Sequence, residues 1–551
     1  MFPGLASRAL NSIWFAAQWP AYRRFGAALR NPERAQREIL RRLLASNQDC
    51  TYGRKYGFHG LGTIRDFQQS VPIVTYDDLE PWIDRIKRGE QRVLTTAQVL
   101  MLEQSSGSTA ATKYVPYTQP LRREFQNALA AWMGDLFTHH RHLFSGRAYW
   151  VITPLARPSD RTEGGLSIGF DGDDEYFGAL ERHLIRQLMA VPNEIAHVGS
   201  TEVGLYVTLR FLLQARDLVF ISAWNPSFLT ILLDKLMESG ERLAHDLEKG
   251  TIDLPGNLPS PVGERLRKAA KKHPAQARLL RAMLRAGRIE PSHLWPRLKL
   301  ISCWTSAAAQ SRVDELHERF PGVALQGKGL LATEGVVSIP LEAYGGCVPA
   351  YTSHFLEFLE DNNSVTKLVH ELEPGREYSV ILTTGGGFWR YRLGDRVRVA
   401  ALTGEVPRLE FVGKEDGVSD LCGEKLSPAF VGKALCRAHD RGLLSGGFSM
   451  LAPATQGRHY ILFTDGALND SALLDQYLCE NPHYDYCRRL GQLGPVEVFR
   501  ITRNAEEAYI RRCEARGQRA GAVKPASLSA ASGWEEVFTG EWISQATEVP
   551  A

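Results

Sequence analysis

The sequence predicts an α/β protein built from more than one domain, and three observations carry that reading. The chain has 551 residues, more than one hydrophobic core organises. Apolar runs such as Leu218–Ala223 lead into a polar turn and then into a helical apolar period, and this order recurs. Near Gly413-Lys414-Glu415-Asp416-Gly417 the apolar strands give way to a short charged, glycine-bearing segment. That places a boundary between an N-terminal domain, 1–412, and a smaller α+β domain, 413–551.

Composition narrows the class. A hydrophobic content of 44% and a charged content of 23% are ordinary for a globular protein. The net charge of +3 gives no reason to expect a nucleic-acid partner. Eight cysteines form no C-x-x-C pair and no zinc spacing, and read as reduced thiols of a cytoplasmic protein. No apolar run reaches the ~18 residues of a membrane span. Residues 1–20 are interrupted by Arg8, Asn11, Ser12 and Gln18, and read as a structural helix rather than a signal peptide.

The elements follow in order. Residues 5–46 read as helices broken near Asn31-Pro32, 53–62 as a glycine-rich loop, and 64–69 and 76–88 as helices. Val99–Leu102 is a short strand, and a helical pattern begins after Pro116. Strands are expected at 149–154, 218–223 and 298–303, with helices at 181–189, 204–216, 228–238 and 313–320. Residues 264–288 carry nine Lys or Arg and one acidic residue, but Leu266, Ala269, Ala270, Leu279, Leu280, Met283 and Leu284 give the segment an apolar side. It reads as a solvated helical insertion. Strands recur at 353–359, 378–384, 390–398 and 408–412, and Gly385-Gly386-Gly387 reads as a hairpin connection. Beyond the boundary, 426–438 and 470–479 read as helices, and 448–453 and 459–464 as strands.

Four stretches carry chemistry. Ser105-Ser106-Gly107-Ser108-Thr109-Ala110-Ala111-Thr112-Lys113 follows a strand; small side chains admit backbone N–H groups to phosphate oxygens, hydroxyls donate further bonds, and Lys113 adds charge. It is not a G-x-x-x-x-G-K-[ST] loop. Ala332-Thr333-Glu334-Gly335 again places small and hydroxylated residues beyond a strand, the edge at which open α/β sheets bind ligands. Tyr391-Arg392-Leu393-Gly394-Asp395 ends in a carboxylate able to accept from ribose hydroxyls, or in a plain strand-end aspartate. Gly517–Pro525 is polar and basic and would by itself pass for a surface loop.

In this order and spacing the four stretches resemble the adenylate-forming enzymes. In detail the chain is similar to the auxin-responsive acyl acid–amido synthetase family, the GH-three family, in its bacterial form. Val71-Pro72 with Tyr76-Asp77-Asp78-Leu79, Gly89-Glu90, Trp389–Asp395, Val418–Ser427 and Asn481-Pro482-His483-Tyr484 with Leu493-Gly494-Pro495 support the closer match. The resemblance runs from about residue 15 to the C-terminus. It implies a large N-terminal α/β domain of β-sheets flanked by helices and a small mobile C-terminal α+β domain, with the active site between them. It also implies ATP and Mg2+ as cofactors: a carboxylic acid is adenylated with loss of pyrophosphate, and an amine, commonly of an amino acid, then displaces AMP to form an amide.

The same resemblance assigns roles. Ser105, Ser106, Gly107, Ser108, Thr109 and Lys113 would hold the β- and γ-phosphates. Thr333 would stand near the α-phosphate and Glu334 would hold Mg2+, a hard cation that favours carboxylate oxygen. Thr305, Ser306 and Ala307 match the loop passing near adenine and the acyl phosphate, and Asp395 would bind the ribose. Lys524 would neutralise the α-phosphate during adenylation, with Lys414 and Lys425 in the hinge as further nucleotide contacts. Domain rotation would then withdraw Lys524 and admit the amine. The chain departs from the pattern at Leu330, where an aromatic residue is common, at Ala110-Ala111, where glycines are common, and at Lys414, where an arginine is usual.

Other readings are weaker. His139-His140-Arg141-His142 resembles a metal tract but lacks a second ligand cluster, so it reads as a helix end. Ser105 or Ser106 as a hydrolase nucleophile lacks a G-x-S-x-G context and an assignable base. An acyl-CoA ligase sharing the adenylation step and a non-catalytic binding protein of this fold are the rivals to amide synthesis. The presence of Lys113, Glu334, Asp395 and Lys524 speaks against the latter. Aromatic residues around 224–228 and Trp304, with helices after Pro120 and Val203, suggest a pocket for an aryl or indolic acid. The resemblance implies a monomer with no nucleic-acid or membrane partner.

Overall fold

Four short strands build a parallel sheet whose order follows the chain. Arg147–Trp150, Leu218–Ser222, Leu300–Cys303 and Ala324–Gly327 lie side by side, with Ile221 opposite Ile301 and Ile301 opposite Leu325. Parallel neighbours need long crossovers. Thr201–Gln214 leads into the second strand, Pro226–Lys249 and the two basic helices Ser260–Ala269 and Pro274–Arg285 separate the second from the third, and Ser311–Arg319 precedes the fourth. Helices on a parallel sheet leave its strands dry, and Leu218, Val219, Phe220 and Ile221 are all buried. The computed structural model describes residues 3–105, 113–151, 160–169, 179–198, 201–224, 226–253, 260–305, 311–360, 365–414, 417–505, 508–509, 511–512 and 527–543.

The basic segment is helical, with Leu266, Ala277, Leu280 and Met283 buried and Arg281 paired to Glu248 at 3.0 Å, as a solvated insertion requires. The opening helices, Pro3–Arg30 and Pro32–Asn47, divide at Asn31, whose side chain accepts from Arg34 N and starts the second. Residues 53–62 differ from the expected loop. Thr51–Lys55 is helical and Phe58–Gly60 forms a 3-10 turn, because buried Tyr52 and Phe58 anchor short turns to the core that glycine content alone would not suggest. The helical pattern expected after Pro116 begins at Gln119. Lys113–Thr118 is instead a strand paired antiparallel with Val99–Ser105, and Thr118 caps the helix by accepting from Leu121 N at 3.2 Å.

A five-stranded antiparallel sheet follows, ordered Thr366–Leu368, Phe355–Leu359, Glu377–Thr383, Tyr391–Thr403, Val406–Lys414. The triple glycine is its hairpin connection, with Thr384 N donating to Phe388 O. Close packing explains the glycines there: a Cβ on Gly386 would stand 2.7 Å from Pro116 O, and Gly387, at φ +99°, would put one 2.7 Å from the Leu94 Cβ. Arg390, at φ +46°, is buried and donates to both Glu357 oxygens at 3.0 Å and to Gln68 O and Val71 O at 2.7 and 2.8 Å. This network holds a left-handed residue in place.

Among the described residues one unit ends at Gly413 and a second begins at Lys414. The second is a mixed sheet, ordered Ser449–Pro453, Tyr460–Thr464, Glu497–Arg503, Thr539–Ile543, with only the central pair parallel. Its helices, Pro428–Asp440, Ser471–Leu478 and Pro482–Arg489, begin at Ser427, Asp470 and Asn481, each of which caps through its side-chain oxygen.

Candidate active site

The second motif is a hairpin tip. Leu331 pairs with Val336 and Ala332 with Gly335, which leaves Thr333 and Glu334 as the two turn residues. Glu334 is 5% exposed and makes no side-chain hydrogen bond among the described residues. The backbone behind it is fixed from two directions. Val336 N donates to His354 Nε2 at 2.9 Å, so the ring proton sits on Nδ1, which donates to Glu124 Oε2 at 2.9 Å. The remaining capacity of Glu124 is filled by Gly385 N at 2.9–3.1 Å. Gly335 must be small here, because a Cβ would stand 2.9 Å from His354 Nε2.

The triple-glycine turn thereby joins three motifs. Thr118, at the end of the strand that begins with Lys113, donates its hydroxyl to Gly385 O at 2.9 Å. Glu124 ties the same turn to the Thr333–Glu334 hairpin, and the strand leaving the turn carries Asp395. That aspartate is not at a strand end. It lies inside Tyr391–Thr403, where Ile381 faces Arg392 but Ser379 faces Arg396, so residues 393–395 bulge opposite a single residue. Gly394 takes φ +81° to allow this, and Asp395 is 2% exposed.

The first motif is anchored at both ends. Ser105 pairs with Lys113, whose ammonium lies 5.7 Å from the Tyr76 ring centroid, while Tyr114 N donates to the Tyr76 hydroxyl at 2.7 Å. Ser106, Gly107, Ser108 and Thr109 lie outside the described residues. Thr305 follows the third parallel strand and packs on Gly327, where a Cβ would come within 2.5 Å of its Oγ1; Ser306 and Ala307 lie outside the described residues. Lys414 ends the strand Val406–Lys414 where the two units divide, and in the second unit Lys425 sits at φ +47° in a loop closed by the Ser419–Leu426 bridge. Its charge adds to burial in lowering the His483 pKa. Lys524 lies outside the described residues.

Two decoys resolve. The His tract is the end of the helix Gln119–His139, with His139 against Asp135 and His140 3.2 Å from Glu342. A cluster that sequence spacing did not suggest appears in the second unit, where ligand atoms of Cys422, Glu424 and Cys487 lie within 4.8 Å of one another. Glu424 is already bonded to Leu421 N at 2.6 Å, Cys422 N at 2.8 Å and the Tyr460 hydroxyl, so this is a structural carboxylate. Burial first and Asp420 second push it up to about 7.

Sequence reading passed over Glu124, His354 and Lys328. A carboxylate at helical spacing with the apolar residues Leu121, Phe125 and Ala128 was the available signal for Glu124. Lys328 stood in plain view between two glycines beyond a strand. Its ammonium donates to Ser222 Oγ at 2.7 Å and lies between the Trp132 and Trp224 rings. Burial lowers it to about 8 and raises Cys303 to about 11, the lysine's charge opposing the latter shift.

A parallel sheet whose carboxyl edge carries Trp224, Thr305 and Lys328, a carboxylate-tipped hairpin and a bulged aspartate strand make up the α/β architecture of the first unit. The comparisons place it further. Residues 21–325 match the GH3 family N-terminal domain and residues 347–414 the GH3 family central domain. The chain is 26% identical to indole-3-acetic acid-amido synthetase GH3.10 of Arabidopsis thaliana, over 88% of this chain and 90% of that one. It is 24% identical to indole-3-acetic acid-amido synthetase GH3.8 of Oryza sativa subsp. indica, over 74% and 70%. Its fold is that of the GH3.15 acyl acid amido synthetase, with a TM-score of 0.63 and 18% identity over 95% of this chain and 96% of that one. The chain belongs to the GH3 family.

Proposed function

We propose that this protein is an ATP-dependent acyl acid–amido synthetase. It adenylates a carboxylic acid and passes the acyl group to the amine of an amino acid. The observation that carries the reading is Glu334: a buried carboxylate without a protein hydrogen-bond partner among the described residues, at the tip of a hairpin tied to the other two motif strands of its unit. Such a group fits a hard divalent cation, which favours carboxylate oxygen. Mg2+ bound there would neutralise charge on the phosphate oxygens.

In the first half-reaction a carboxylate oxygen of the acid attacks the α-phosphorus, the bond to the bridging oxygen breaks, and pyrophosphate leaves. Lys113, with Ser105 to Thr109, holds the departing phosphates, Thr333 orients the α-phosphate, and Thr305, Ser306 and Ala307 line the adenine side. Asp395 accepts from ribose hydroxyls, and its bulge sets the carboxylate's direction. Lys524 offsets the charge that grows on the α-phosphate, with Lys414 and Lys425 as nucleotide contacts. In the second half-reaction the amine nitrogen attacks the acyl carbon, AMP departs with the C–O bond electrons, and the nitrogen loses a proton. No described helix is long and apolar enough to cross a membrane. The free thiols, seven of them among the described residues, support a reducing, cytoplasmic setting, and we assign the chain to act as a monomer.

Mass spectrometry of reactions with ATP, Mg2+, a panel of carboxylic acids and mixed amino acids, with and without coenzyme A, tests this. The expected result is an acid-dependent amide with AMP and pyrophosphate. An acyl-CoA in place of an amide would make the chain an acyl-CoA ligase, and ADP without AMP would remove adenylation altogether.

A further inference from the structure

We propose that Lys328 binds the carboxylate of the acyl substrate, with the acid's planar body laid on the exposed face of Trp224. This rests on the synthetase reading and adds to it the residue that selects the acid.

The argument begins with the unused capacity of the lysine. An ammonium has three N–H donors. Lys328 spends one on Ser222 Oγ at 2.7 Å, and no carboxylate among the described residues reaches it. Among the described residues it also has two indole faces beside it, Trp132 at 5.1 Å and Trp224 at 4.8 Å, which stabilise the cation but accept no conventional hydrogen bond, and the Cys303 thiol, whose pKa its charge lowers. The two walls differ. Trp132 is buried, and its Nε1–H donates to Gln326 Oε1 at 2.9 Å, which fixes the ring. Trp224 is 50% exposed, so a flat apolar ligand can reach it. Burial has weakened the lysine's hold on its proton, and an arriving anion would restore it.

Position supplies the rest. Ser222 ends the second parallel strand, Lys328 N donates to Cys303 O at the end of the third, and Lys328 itself follows the fourth. The cation therefore stands at the carboxyl edge of the sheet, where open α/β sheets take ligands. A monocarboxylate has two oxygens: one can accept from Lys328 while the other attacks phosphorus. A zwitterionic amino acid suits the place poorly, because its own ammonium lies one carbon from its carboxylate and would face Lys328.

The test compares wild type, Lys328→Met and Lys328→Arg. The probes are indole-3-acetate and 4-(2,4-dichlorophenoxy)butyrate, each beside its neutral amide, with binding read by tryptophan fluorescence. Wild type should prefer the anion over the amide by about ten- to a hundred-fold, as one charge-assisted bond gives. Lys328→Met should lose the preference and Lys328→Arg recover part of it. For an acid that is turned over, Lys328→Met should raise its KM and leave the KM of ATP and of the amino acid unchanged. Without any variant, the acids should protect Lys328 from acetic anhydride in peptide mapping and the amides should not, which covers a variant that fails to fold. Equal binding of acid and amide by wild type, an undiminished preference in Lys328→Met, or a KM rise confined to the amino acid would overturn the proposal. Lysine-dependent acid binding without amide synthesis would leave it standing and remove the synthetase reading instead.

Discussion

Replacing Glu124 by alanine should destabilise the first unit and disable adenylation together. Glu124 is 3% exposed and accepts from Gly385 N at 2.9–3.1 Å and from His354 Nδ1 at 2.9 Å. The substitution leaves both donors buried without an acceptor, at about 1–3 kcal/mol each, and the space vacated by the side chain adds to this. The expected loss is about 3–5 kcal/mol. With a urea m-value near the upper end of ~1–3 kcal/mol/M, the midpoint should fall by roughly 1 M or more. Because His354 also accepts from Val336 N, two residues beyond Glu334, a freed ring should loosen the hairpin tip. Pyrophosphate release should then fall by about tenfold or more even where the variant is fully folded, since a small displacement of a positioned group is costly. Urea titration followed by fluorescence, with pyrophosphate release assayed well below the transition, measures both. A midpoint within about 0.3 M of wild type would show that the buried triad contributes little, and the reasoning would fail. Glu124→Gln keeps one acceptor oxygen and should lie between the two.

Three further outcomes are expected. Lys524→Ala should suppress acid-dependent pyrophosphate release while leaving ATP binding largely intact, and wild-type release would remove its assigned role. Gly335→Ala must place a Cβ 2.9 Å from His354 Nε2 and 3.3 Å from Leu382 Cδ1, so it should cost about 1–3 kcal/mol and reduce adenylation, both visible in the same two assays. Glu424 holds its proton to about 7 in the folded protein, against 4.5 ordinarily, so between those values the native state binds more protons than the unfolded one. Stability of the second unit should therefore decline as pH rises from about 4.5 to about 7 and level off above that range, and Glu424→Gln should flatten this part of the difference curve. An identical slope in the variant would assign the titration to another group.

The legible part of the fold was the local part. The helices at 64–70 and 76–87, the strands at 218–222 and 300–303 and the amphipathic basic helices follow from periodicity and caps within a few residues of one another. The short helix at 51–55 did not, because what stabilises it is Tyr52 and Phe58 reaching the core. The motifs were equally legible as residue types in order: Lys113, Thr333, Glu334 and Asp395 all reappear on the strands and turns of one unit. The strand-end reading of Asp395 was less secure, since a bulge depends on the partner strand and leaves no mark in the bulged one.

By itself the sequence determined the α/β class, the elements and the family chemistry, because side-chain period, turn residues and motif order are written along the chain. Tertiary structure decided what holds that chemistry in place. Glu124 meets His354 across 230 residues, Lys328 meets Ser222 across 106, and the triple-glycine hairpin, legible as a hairpin in the sequence, packs so that it joins three motifs. Burial and the identity of a hydrogen-bond partner arise only when distant segments meet. The same lysine or glutamate is a surface charge in one fold and, in this one, a substrate anchor or a buried tether.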